Sequence, residues 1–535
     1  MGKMRLLKSK NIFIEKDKVI DGFVVIKGNR IYDVQPITNI AKYSNDEVEV
    51  VDYGDKTIMP AFNDAHVHLL LAAIADKGGF LRYCNSEQEA VELFYENNKD
   101  RDSKFLIGGA WDHFRWPGQK EPTKKSLDEK FPDKMVFLLN REVHGAWCNS
   151  KCLEYFGIDK NTPDPQSGVI YRDENGEPTG YLHEFAAYNM LQDILSEMSN
   201  DEIAEYVQAF TKTAYASGVT SVADVQVGNV CTYEVYEEME SRGELGLRVH
   251  YSPSIELDND ELIRIQKEDR GDRLKFSGVK AFADGTAAGH TALMISEYLD
   301  DPGNVGIPSI DLDYLKDRVL ELDAMGIRTR IHACGDLSVQ LSLDYFENAR
   351  RINGSMGTRH TIEHIEVAAP EDLPRFGALD VIASVQPNHM PRDGYYEHPF
   401  HASLGEERMK YSWPFNTILK EGGRMAFGTD YSCVPIAPFA TIQRAQTRLS
   451  DQLEPPGGFN PWEKIELMDV LDIYTAGSAY CTYRENELGK LKIGYLADIV
   501  VLSDNIFEID VMDTVNLEVE ATYFDGEKVY EAVGC

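Results

Sequence analysis

Two histidines one residue apart, His66 and His68, have the type and spacing that metal chemistry requires. They lie at the end of a short apolar stretch, "TIMPAFNDAH" (57–66), that is typical of a β-strand. Alternate side chains of a strand share a face, so both imidazoles are predicted to point the same way. Such a pair binds one metal ion or forms a polar patch, and the pair alone leaves both interpretations open.

Four further polar residues lie within or near the ends of other apolar stretches: Lys280, His332, His364 and Asp430. Each of them singly has a structural explanation, because buried histidines are often hydrogen-bonded core residues and an aspartate can cap the following turn. Lys280 is harder to explain in this way, since a buried lysine is costly unless it is paired or neutral. Taken with His66 and His68, the set favours a metal centre.

The chemistry of a metal centre explains these residue types. Imidazole nitrogens and carboxylate oxygens suit zinc and neighbouring divalent metals. Two neighbouring cations repel each other, so an anionic group must bridge them. The neutral amine of Lys280 can take up carbon dioxide to form a carbamate, which carries two oxygens and a negative charge. A water held between the ions would then become acidic enough to lose a proton near neutral pH.

The elements that must position these residues recur along the middle of the chain. Apolar, β-branched stretches alternate with helix-like stretches, and eight such repeats predict a closed (β/α)8 TIM barrel of the α/β class. The predicted strands are 57–66, 220–225, 247–253, 276–284, 327–333, 359–365, 381–387 and 424–430. Catalytic groups of such barrels collect at the carboxyl ends of the strands, and five of the eight strands would deliver a ligand there.

Three regions complete the predicted organisation. Residues 1–57 and 485–535 contain short strands and tight turns, which predict a small β-sandwich built from both termini. Residues 58–484 form the barrel. The gap after its first strand is too long for a bare loop and has its own strand and helix patterns, so residues 80–215 are predicted to be an inserted α/β subdomain.

Composition excludes several other classes of protein. The net charge of −35 disfavours nucleic acid and anionic membranes as partners. The apolar run "LLLAAIA" is far shorter than the roughly 20 residues of a membrane helix, and the N-terminus lacks the pattern of a secretory signal. None of the eight cysteines forms a C-x-x-C pair, so reduced thiols in a cytoplasmic protein are expected. The expected partner is a small-molecule substrate, and a homodimer is the commonest assembly for such a protein.

Motifs across nearly the whole chain resemble those of the amidohydrolase superfamily. The motifs are "MPAFNDAHVHL", "VHGAWCNS", "GVKAFADGTAAGHTA", "RIHACGD", "IEHIEV", "AFGTDYS" and "GKLKIGYLADIVVLSD". More narrowly, the chain is similar to amidohydrolase family 3, the branch of metal-dependent hydrolases that contains the N-substituted formamide deformylases. The resemblance implies hydrolysis of a C–N bond in an amide, N-formyl or cyclic amide substrate.

The resemblance also implies a role for each ligand. His66 and His68 would bind the more buried metal ion, and His332 and His364 the second. Lys280 would bridge the two ions as a carbamate, and Asp430 would be both a ligand and the general acid/base that serves a metal-activated hydroxide. One or two zinc ions per chain are expected, because some relatives work with a single metal.

Substrate contacts follow less directly from the sequence. His144 matches a histidine of the insertion motif, and His290 lies where relatives carry an arginine. Asp284 belongs to the same segment as Lys280. His389 follows the seventh strand and is either a pocket residue or an ordinary loop histidine. Trp111 lies in the insertion, as do Trp116 and Trp147, and these rings would form either an aromatic wall of the pocket or the core of the subdomain.

Three alternatives to amide hydrolysis remain open at this level. The same metal site could serve a deaminase that acts on a ring amidine. Lys280 could instead form a Schiff base, as in barrel aldolases. The chain could also be a non-catalytic scaffold that keeps its metal for stability and acts as a regulatory protein.

Overall fold

The fold is α/β, as the sequence predicts, and the described strands fall into four sheets. The computed structural model describes residues 4–43, 48–79, 81–141, 144–166, 168–228, 230–269, 271–392 and 394–532. The outer ends of the predicted terminal domain, residues 1–3 and 533–535, lie outside this part of the chain. None of the described helices combines the length and the apolar character that a membrane crossing requires.

Strands from both ends of the chain form one eight-stranded sheet, which we call the terminal sheet. Its strands are Met4–Glu15, Lys18–Lys27, Arg30–Pro36, Val48–Asp52, Thr57–Pro60, Ile499–Leu502, Val519–Phe524 and Glu527–Glu531. The two ends meet where Thr57–Pro60 pairs antiparallel with Ile499–Leu502. Met4–Glu15 pairs with Val48–Asp52 over its first half and with Thr57–Pro60 over its second. Hydrogen bonds therefore join all eight strands into one sheet, where the sequence predicts a small sandwich.

Eight parallel strands from the middle of the chain form the strand ring, and we number them one to eight in chain order. They are Phe62–Val67, Val219–Val225, Arg248–Ser252, Leu274–Phe276 with Val279–Phe282, Thr329–Ala333, Thr361–His364, Ile382–Val385 and Arg424–Phe427. Strand one pairs with strand two, strand two with strand three, and strand three with the first segment of strand four. The second segment of strand four begins the other sheet, which continues through strands five, six and seven to strand eight. Each ring strand overlaps a strand predicted from the sequence.

Isolated parallel bridges join the sheet that begins with strand one to the sheet that ends with strand eight, with one bridge at each pair of adjoining edges. Ser254, just after strand three, bridges to Lys280 in the second segment of strand four. Val67, at the end of strand one, bridges to Tyr431, just after strand eight. The strands therefore follow one another around a ring, and all of their carboxyl ends lie at one edge of it.

Helices follow the ring strands and cover them. The longer ones are Leu69–Lys77, Tyr233–Ser241, Asn259–Glu268, Leu312–Ala324, Asp336–Asn353, Leu373–Leu379 and Pro438–Thr447. Shorter helices are Phe400–Ser403, Gly405–Met409, Phe415–Lys420, Leu467–Asp472 and Ser478–Cys481. Asp258 and Asp311 cap two of the longer helices, because each side chain accepts the backbone N–H three residues ahead. Ring strands are buried on both faces, and Val219–Val225 is buried at every position although it includes Thr220, Ser221 and Asp224.

The segment of chain that connects ring strand one to ring strand two contains a separate five-stranded sheet, inside the predicted insertion. Its strands are Phe105–Trp111, Met135–Asn140, Gly145–Cys148, Gly168–Arg172 and Pro178–Glu184. The accompanying helices are Glu87–Asn98, Lys124–Lys130, Ser150–Tyr155, Phe185–Glu197 and Asn200–Ala216. Trp111, Trp116 and Trp147 pack together in a core of their own, so this region has a hydrophobic centre separate from that of the ring.

Candidate metal centre

The ends of ring strands one, six and eight bring three histidines and one aspartate together. His66 is in strand one, and its ring centroid lies 4.8 Å from that of His364, the last residue of strand six. Asp430 follows strand eight, and its Oδ1 lies 3.4 Å from His66 Nε2 and 3.1 Å from His68 Nε2. All four side chains are buried. Residues that are far apart in the chain thus meet at one edge of the ring.

The hydrogen bonds of His66 and His68 leave a lone pair on each Nε2. His68 Nδ1 lies 2.6 Å from the carbonyl oxygen of Val225, which only accepts, so Nδ1 carries the hydrogen. His66 Nδ1 lies 2.7 Å from the carboxylate of Glu363 and donates in the same way. The Oδ1 atom of Asp430 that faces both Nε2 atoms makes no hydrogen bond. Lone pairs that face each other at this distance repel unless a cation lies between them.

Glu363, which the sequence analysis does not single out, orients His66. Its Oε2 accepts from His66 Nδ1, and its Oε1 accepts from Arg330 Nε at 2.7 Å, with all three side chains fully buried. Burial raises the pKa of Glu363, but Arg330 and His66 lower it more, so the net pKa lies well below its usual value. A carboxylate on the second nitrogen fixes the tautomer of a metal-binding histidine and raises its basicity.

Strand six departs from regular alternation, and this explains why Glu363 was missed. Neighbouring residues of a regular strand face opposite sides, so Glu363 and His364 would not both reach the centre. His364 and Ile365 have φ values of 73° and 53°, which interrupt the extended backbone at this point. The sequence does contain an indication of Arg330. It lies two residues before His332 on the same strand, so the two side chains share one face.

Lys280 lies on strand four with its side chain enclosed. The residue is only 1% exposed, and its Nζ has no hydrogen-bond partner among the described residues. Burial lowers the pKa of Lys280 to about 8, although the nearby Glu363 carboxylate acts in the opposite direction. A lysine with this pKa is neutral in roughly one molecule in ten at pH 7.

His332 and His364 lie side by side, with ring centroids 4.4 Å apart. Burial lowers the pKa of His332 and lowers that of His364 well below the usual value, so both rings are neutral near pH 7. His332 Nδ1 lies 3.2 Å from Asp284 Oδ1, and its Nε2, the nitrogen that could bind a metal ion, lies 3.7 Å from Cys334 Sγ.

Asp284 holds His332 in place rather than facing a pocket. Besides His332, it accepts hydrogen bonds from the backbone N–H of Cys334, Leu293 and Gly335 and from the Ser338 hydroxyl. The side chain is buried, and these donors occupy both of its oxygens. Asp284, His332 and Cys334 are close enough together to suggest a metal site. The saturated carboxylate instead indicates a positioning role, which differs from the substrate contact predicted from the sequence.

His389 lies against the centre rather than in an open loop. Its Nε2 is 3.5 Å from Asp430 Oδ2, and its ring stacks on that of His364 with centroids 5.8 Å apart. Burial lowers the pKa of His389 despite the nearby Asp430 carboxylate. Of the five predicted substrate contacts, Asp284 and His389 both touch a proposed ligand, Asp284 at His332 and His389 at Asp430.

Asp430 is held at the centre by strand one. Its backbone N–H donates to the His66 carbonyl over 2.8 Å, and the preceding Thr429 donates from its N–H and hydroxyl to Asp64. Asp64 was not singled out from the sequence, although it stands two residues before His66.

The remaining predicted substrate contacts lie farther from the ligand set. Trp111 is enclosed in the core of the insertion, where its indole N–H donates to the Leu138 carbonyl. His144 is half exposed on the insertion, with Nδ1 3.1 Å from Glu184. His290 lies in the segment after strand four, paired with Asp300 at 2.8 Å. The enclosure of Trp111 assigns its ring to the subdomain core, and the contacts of His144 and His290 with substrate stay predictions.

The residues at the centre fit a divalent metal ion. Four buried atoms there have no hydrogen-bond partner among the described residues: His66 Nε2, Lys280 Nζ, His389 Nε2 and Asp430 Oδ1. Each unpaired buried group costs roughly 1–3 kcal/mol. Tetrahedral ligands of zinc lie roughly 3.3 Å apart. The separations of 3.1 and 3.4 Å between Asp430 and the two Nε2 atoms are close to that value.

Known proteins that are similar to this chain match it over nearly its whole length. The model of the amidohydrolase family matches residues 49–530. The chain is 30% identical over 523 residues to Protein LONG AFTER FAR-RED 3 of Arabidopsis thaliana, covering 95% of this chain and 88% of that protein. It is 26% identical over 538 residues to N-substituted formamide deformylase of Arthrobacter pascens, covering 96% and 95%. The crystal structure of an uncharacterized metal-dependent hydrolase from Pyrococcus furiosus is 26% identical, with a TM-score of 0.74 and coverage of 93% and 98%.

Proposed function

The chain belongs to amidohydrolase family 3, and from this premise we propose that it hydrolyses a C–N bond in an amide, N-formyl or cyclic amide substrate. The strongest support is the short distance of Asp430 Oδ1 from the Nε2 atoms of His66 and His68, because all three atoms have lone pairs available to bind a metal ion. The likeness to N-substituted formamide deformylase makes N-substituted formamides the first substrates to test. We interpret the strand ring as the predicted (β/α)8 barrel, whose chemistry lies at the carboxyl ends of the strands.

The proposed ligands form two sets, one for each of two metal ions. His66, His68 and Asp430 would hold one divalent metal ion, with zinc the expected metal. His332 and His364 would hold a second ion, and Lys280 would bridge the two as a carbamate. A divalent metal bound by such ligands polarises a carbonyl group and makes a nearby water acidic.

Asp430 is proposed to move the proton. Its Oδ1 is buried at the centre without a hydrogen-bond partner among the described residues, so the carboxylate is placed to accept a proton from the attacking water. The protonated carboxyl group can then donate to the departing nitrogen of the substrate. His389 Nε2 lies 3.5 Å from Asp430 Oδ2, so it is placed to hydrogen-bond with this carboxyl group or with the substrate beside it.

Lys280 is suited to carbamate formation because burial favours its neutral form. Carbon dioxide reacts with the unprotonated amine, and the pKa of about 8 supplies that form near neutral pH. Carbamate formation would release one proton and remove the enclosed, unpaired ammonium group, and the bound cations would offset the new negative charge.

The first test of this proposal compares wild type with Lys280→Ala and Asp430→Asn. Lys280→Ala is expected to lower the bound metal per chain and abolish hydrolysis of an N-substituted formamide. Asp430→Asn is expected to reduce turnover by roughly 10²–10⁴-fold because the proton carrier is lost. Metal content is measured by plasma mass spectrometry, turnover by formate release, and the carbamate by ¹³C NMR in labelled bicarbonate.

Lys275→Ala is the matched control, because Lys275 also lies on strand four but is part-exposed near Asp269. It is expected to retain metal and activity. A Lys280→Ala variant with wild-type metal content and turnover would contradict the bridging role. An Asp430→Asn variant with wild-type turnover would contradict the proton-transfer role. Ammonia release from a ring amidine, with no amide hydrolysis, would support a deaminase instead.

A further inference from the structure

Arg82 is a buried arginine near the proposed metal centre, and no acidic residue in the described part of the chain is paired with it. It lies in the 3-10 helix Leu81–Tyr83 and is 6% exposed. Its Nη1 donates to the Cys433 carbonyl oxygen at 2.8 Å, and Cys433 N–H in turn donates to the Asp430 carbonyl oxygen at 2.8 Å. Two hydrogen bonds therefore connect Arg82 to the backbone of the proposed proton carrier.

The remaining donors of Arg82 are unused. Neither Nε nor Nη2 has a hydrogen-bond partner among the described residues, yet neither atom is sealed from solvent. Arg448 shows how a buried arginine with a structural role differs. That residue is 2% exposed, and its Nε, Nη1 and Nη2 all donate to backbone carbonyl oxygens. Arg82 thus keeps one edge of its guanidinium group free.

Other positive groups surround Arg82. Arg141 is paired with Asp112 at 3.0 Å, but its buried Nε lacks a partner among the described residues. Burial lowers the pKa of Arg82 to about 10, and the charges of Arg141 and Arg392 contribute. Arg141 also contributes to the lowered pKa of His389, which contacts Asp430. The positive charge of Arg141 therefore acts electrostatically on both Arg82 and His389.

That no described carboxylate is hydrogen-bonded to Arg82 is informative in this chain. The sequence has 89 acidic residues and only 54 basic ones, so acidic side chains are abundant. Burying a charge without a partner is costly, and an acidic neighbour would relieve that cost. A free guanidinium edge matches the two oxygens of a carboxylate in a bidentate contact.

We propose that Arg82, assisted by Arg141, determines substrate specificity by binding a carboxylate group of the substrate. This inference rests on the proposed function, because it assigns the substrate class of the same site. It predicts that the chain prefers amides or formamides that carry a carboxylate over their neutral analogues. Arg82 binds the group that is not cleaved and takes no part in proton transfer.

The test measures kcat/KM for two matched pairs of substrates. One pair is N-formylphenylalanine and N-(2-phenylethyl)formamide, which differ by a carboxylate on the amine side. The other pair carries or lacks a carboxylate on the acyl side. Wild type is expected to prefer the carboxylate in at least one pair. Arg82→Gln is expected to lower that preference roughly 10- to 100-fold, the loss that removing a charged hydrogen bond produces. Arg82→Lys is expected to recover part of it.

Arg392→Gln is the control, since Arg392 carries the same charge nearby but is already paired with Asp451 at 2.8 Å. It is expected to change the preference by less than about threefold. An equal fall in kcat/KM for both members of a pair in Arg82→Gln would indicate a merely structural role and overturn the proposal. If Arg82→Gln does not fold, the ratio of kcat/KM values is compared between wild type and Arg141→Gln. A lower preference for the carboxylate in Arg141→Gln supports the proposal, and an unchanged preference contradicts it.

Calorimetry separates failure of this inference from failure of the proposed function. Wild type is titrated with 3-phenylpropionate, with 3-phenylpropionamide and with inorganic phosphate. Tighter binding of the carboxylate than of the amide by wild type, with that difference lost in metal-loaded Arg82→Gln, supports the inference even when no substrate is hydrolysed. Equal binding of the two, or binding of phosphate alone, overturns it even when neutral formamides are hydrolysed.

Discussion

The direction of each ligand histidine depends on the group that binds its other ring nitrogen. His66 is turned toward Asp430 by Glu363, and His68 by the carbonyl oxygen of Val225. His332 is held by Asp284 in the same way. At the residue scale, the partners of the ligands therefore determine which nitrogen faces the centre.

Glu363→Gln tests this dependence. Glutamine keeps the size of the side chain but removes the negative charge, and its amide group would face the Arg330 guanidinium with a donor. We expect the affinity for zinc to fall about 10- to 100-fold, because partners of ligand histidines contribute to metal binding at that level. Competition with a chromogenic chelator measures the affinity. Glu485→Gln, at a partly exposed pair with Arg359, is the control, and equal affinities in both variants would contradict the role of Glu363.

At the scale of elements, buried polar contacts attach irregular segments to regular ones. The 3-10 helix Ile37–Tyr43 follows the strand Arg30–Pro36 in the terminal sheet. Asp33 in that strand accepts hydrogen bonds from the Tyr43 hydroxyl at 2.6 Å and from Lys42 at 3.0 Å. Burial raises the pKa of Asp33, but Tyr43, Gln35 and Lys42 together lower it to about 2.

A pH dependence of stability follows from this shift. Because the folded pKa of Asp33 lies below its usual value of 3.8, ionised Asp33 stabilises the fold above that pH. The contribution is about 2 kcal/mol and disappears as the pH falls through 3.8 toward 2. Urea unfolding of wild type and Asp33→Asn should therefore differ at pH 7 and converge near pH 2. A constant difference across this range would show that the ionised carboxylate is not the stabilising species.

At the scale of the whole molecule, buried ion pairs hold the terminal sheet against the strand ring. Arg248 begins ring strand three, is 1% exposed and donates to both oxygens of Asp498 at 2.7 and 2.9 Å. It also contacts Asp525, in the hairpin turn of the terminal sheet. Arg248 lies at the opposite end of its strand from the proposed metal centre, so the contact supports the fold rather than the chemistry.

Arg248→Met is expected to destabilise the protein by about 3–5 kcal/mol, because it leaves Asp498 buried without its partner. Arg424→Met is the control, since Arg424 and Asp380 form a pair whose side chains are 55% and 56% exposed. We expect a loss below about 1 kcal/mol there. Denaturant unfolding gives both values, and metal content should stay at the wild-type level in both variants. Equal losses of stability would show that the buried pair does not hold the two units together.

The sequence by itself determined the strands of the ring and most of the residues that meet at its edge. His66 and His68 were predicted to share a face because strand side chains alternate, and this rule needs only neighbouring residues. Lys280 and Asp430 were predicted at the same edge because parallel strands present their carboxyl ends together.

Only the tertiary structure decided which groups support the ligands and which candidates lie away from them. Glu363 and His66 are 297 positions apart in the chain, and no local pattern indicates that they touch. The backbone at His364, with a φ of 73°, also breaks the alternation on which the sequence prediction depended. Contacts between segments that are distant in the chain place Trp111 in the core of the insertion and bring Asp284 against His332. Alternation follows from the local geometry of one strand, whereas the pairing of buried charges depends on how the whole chain packs.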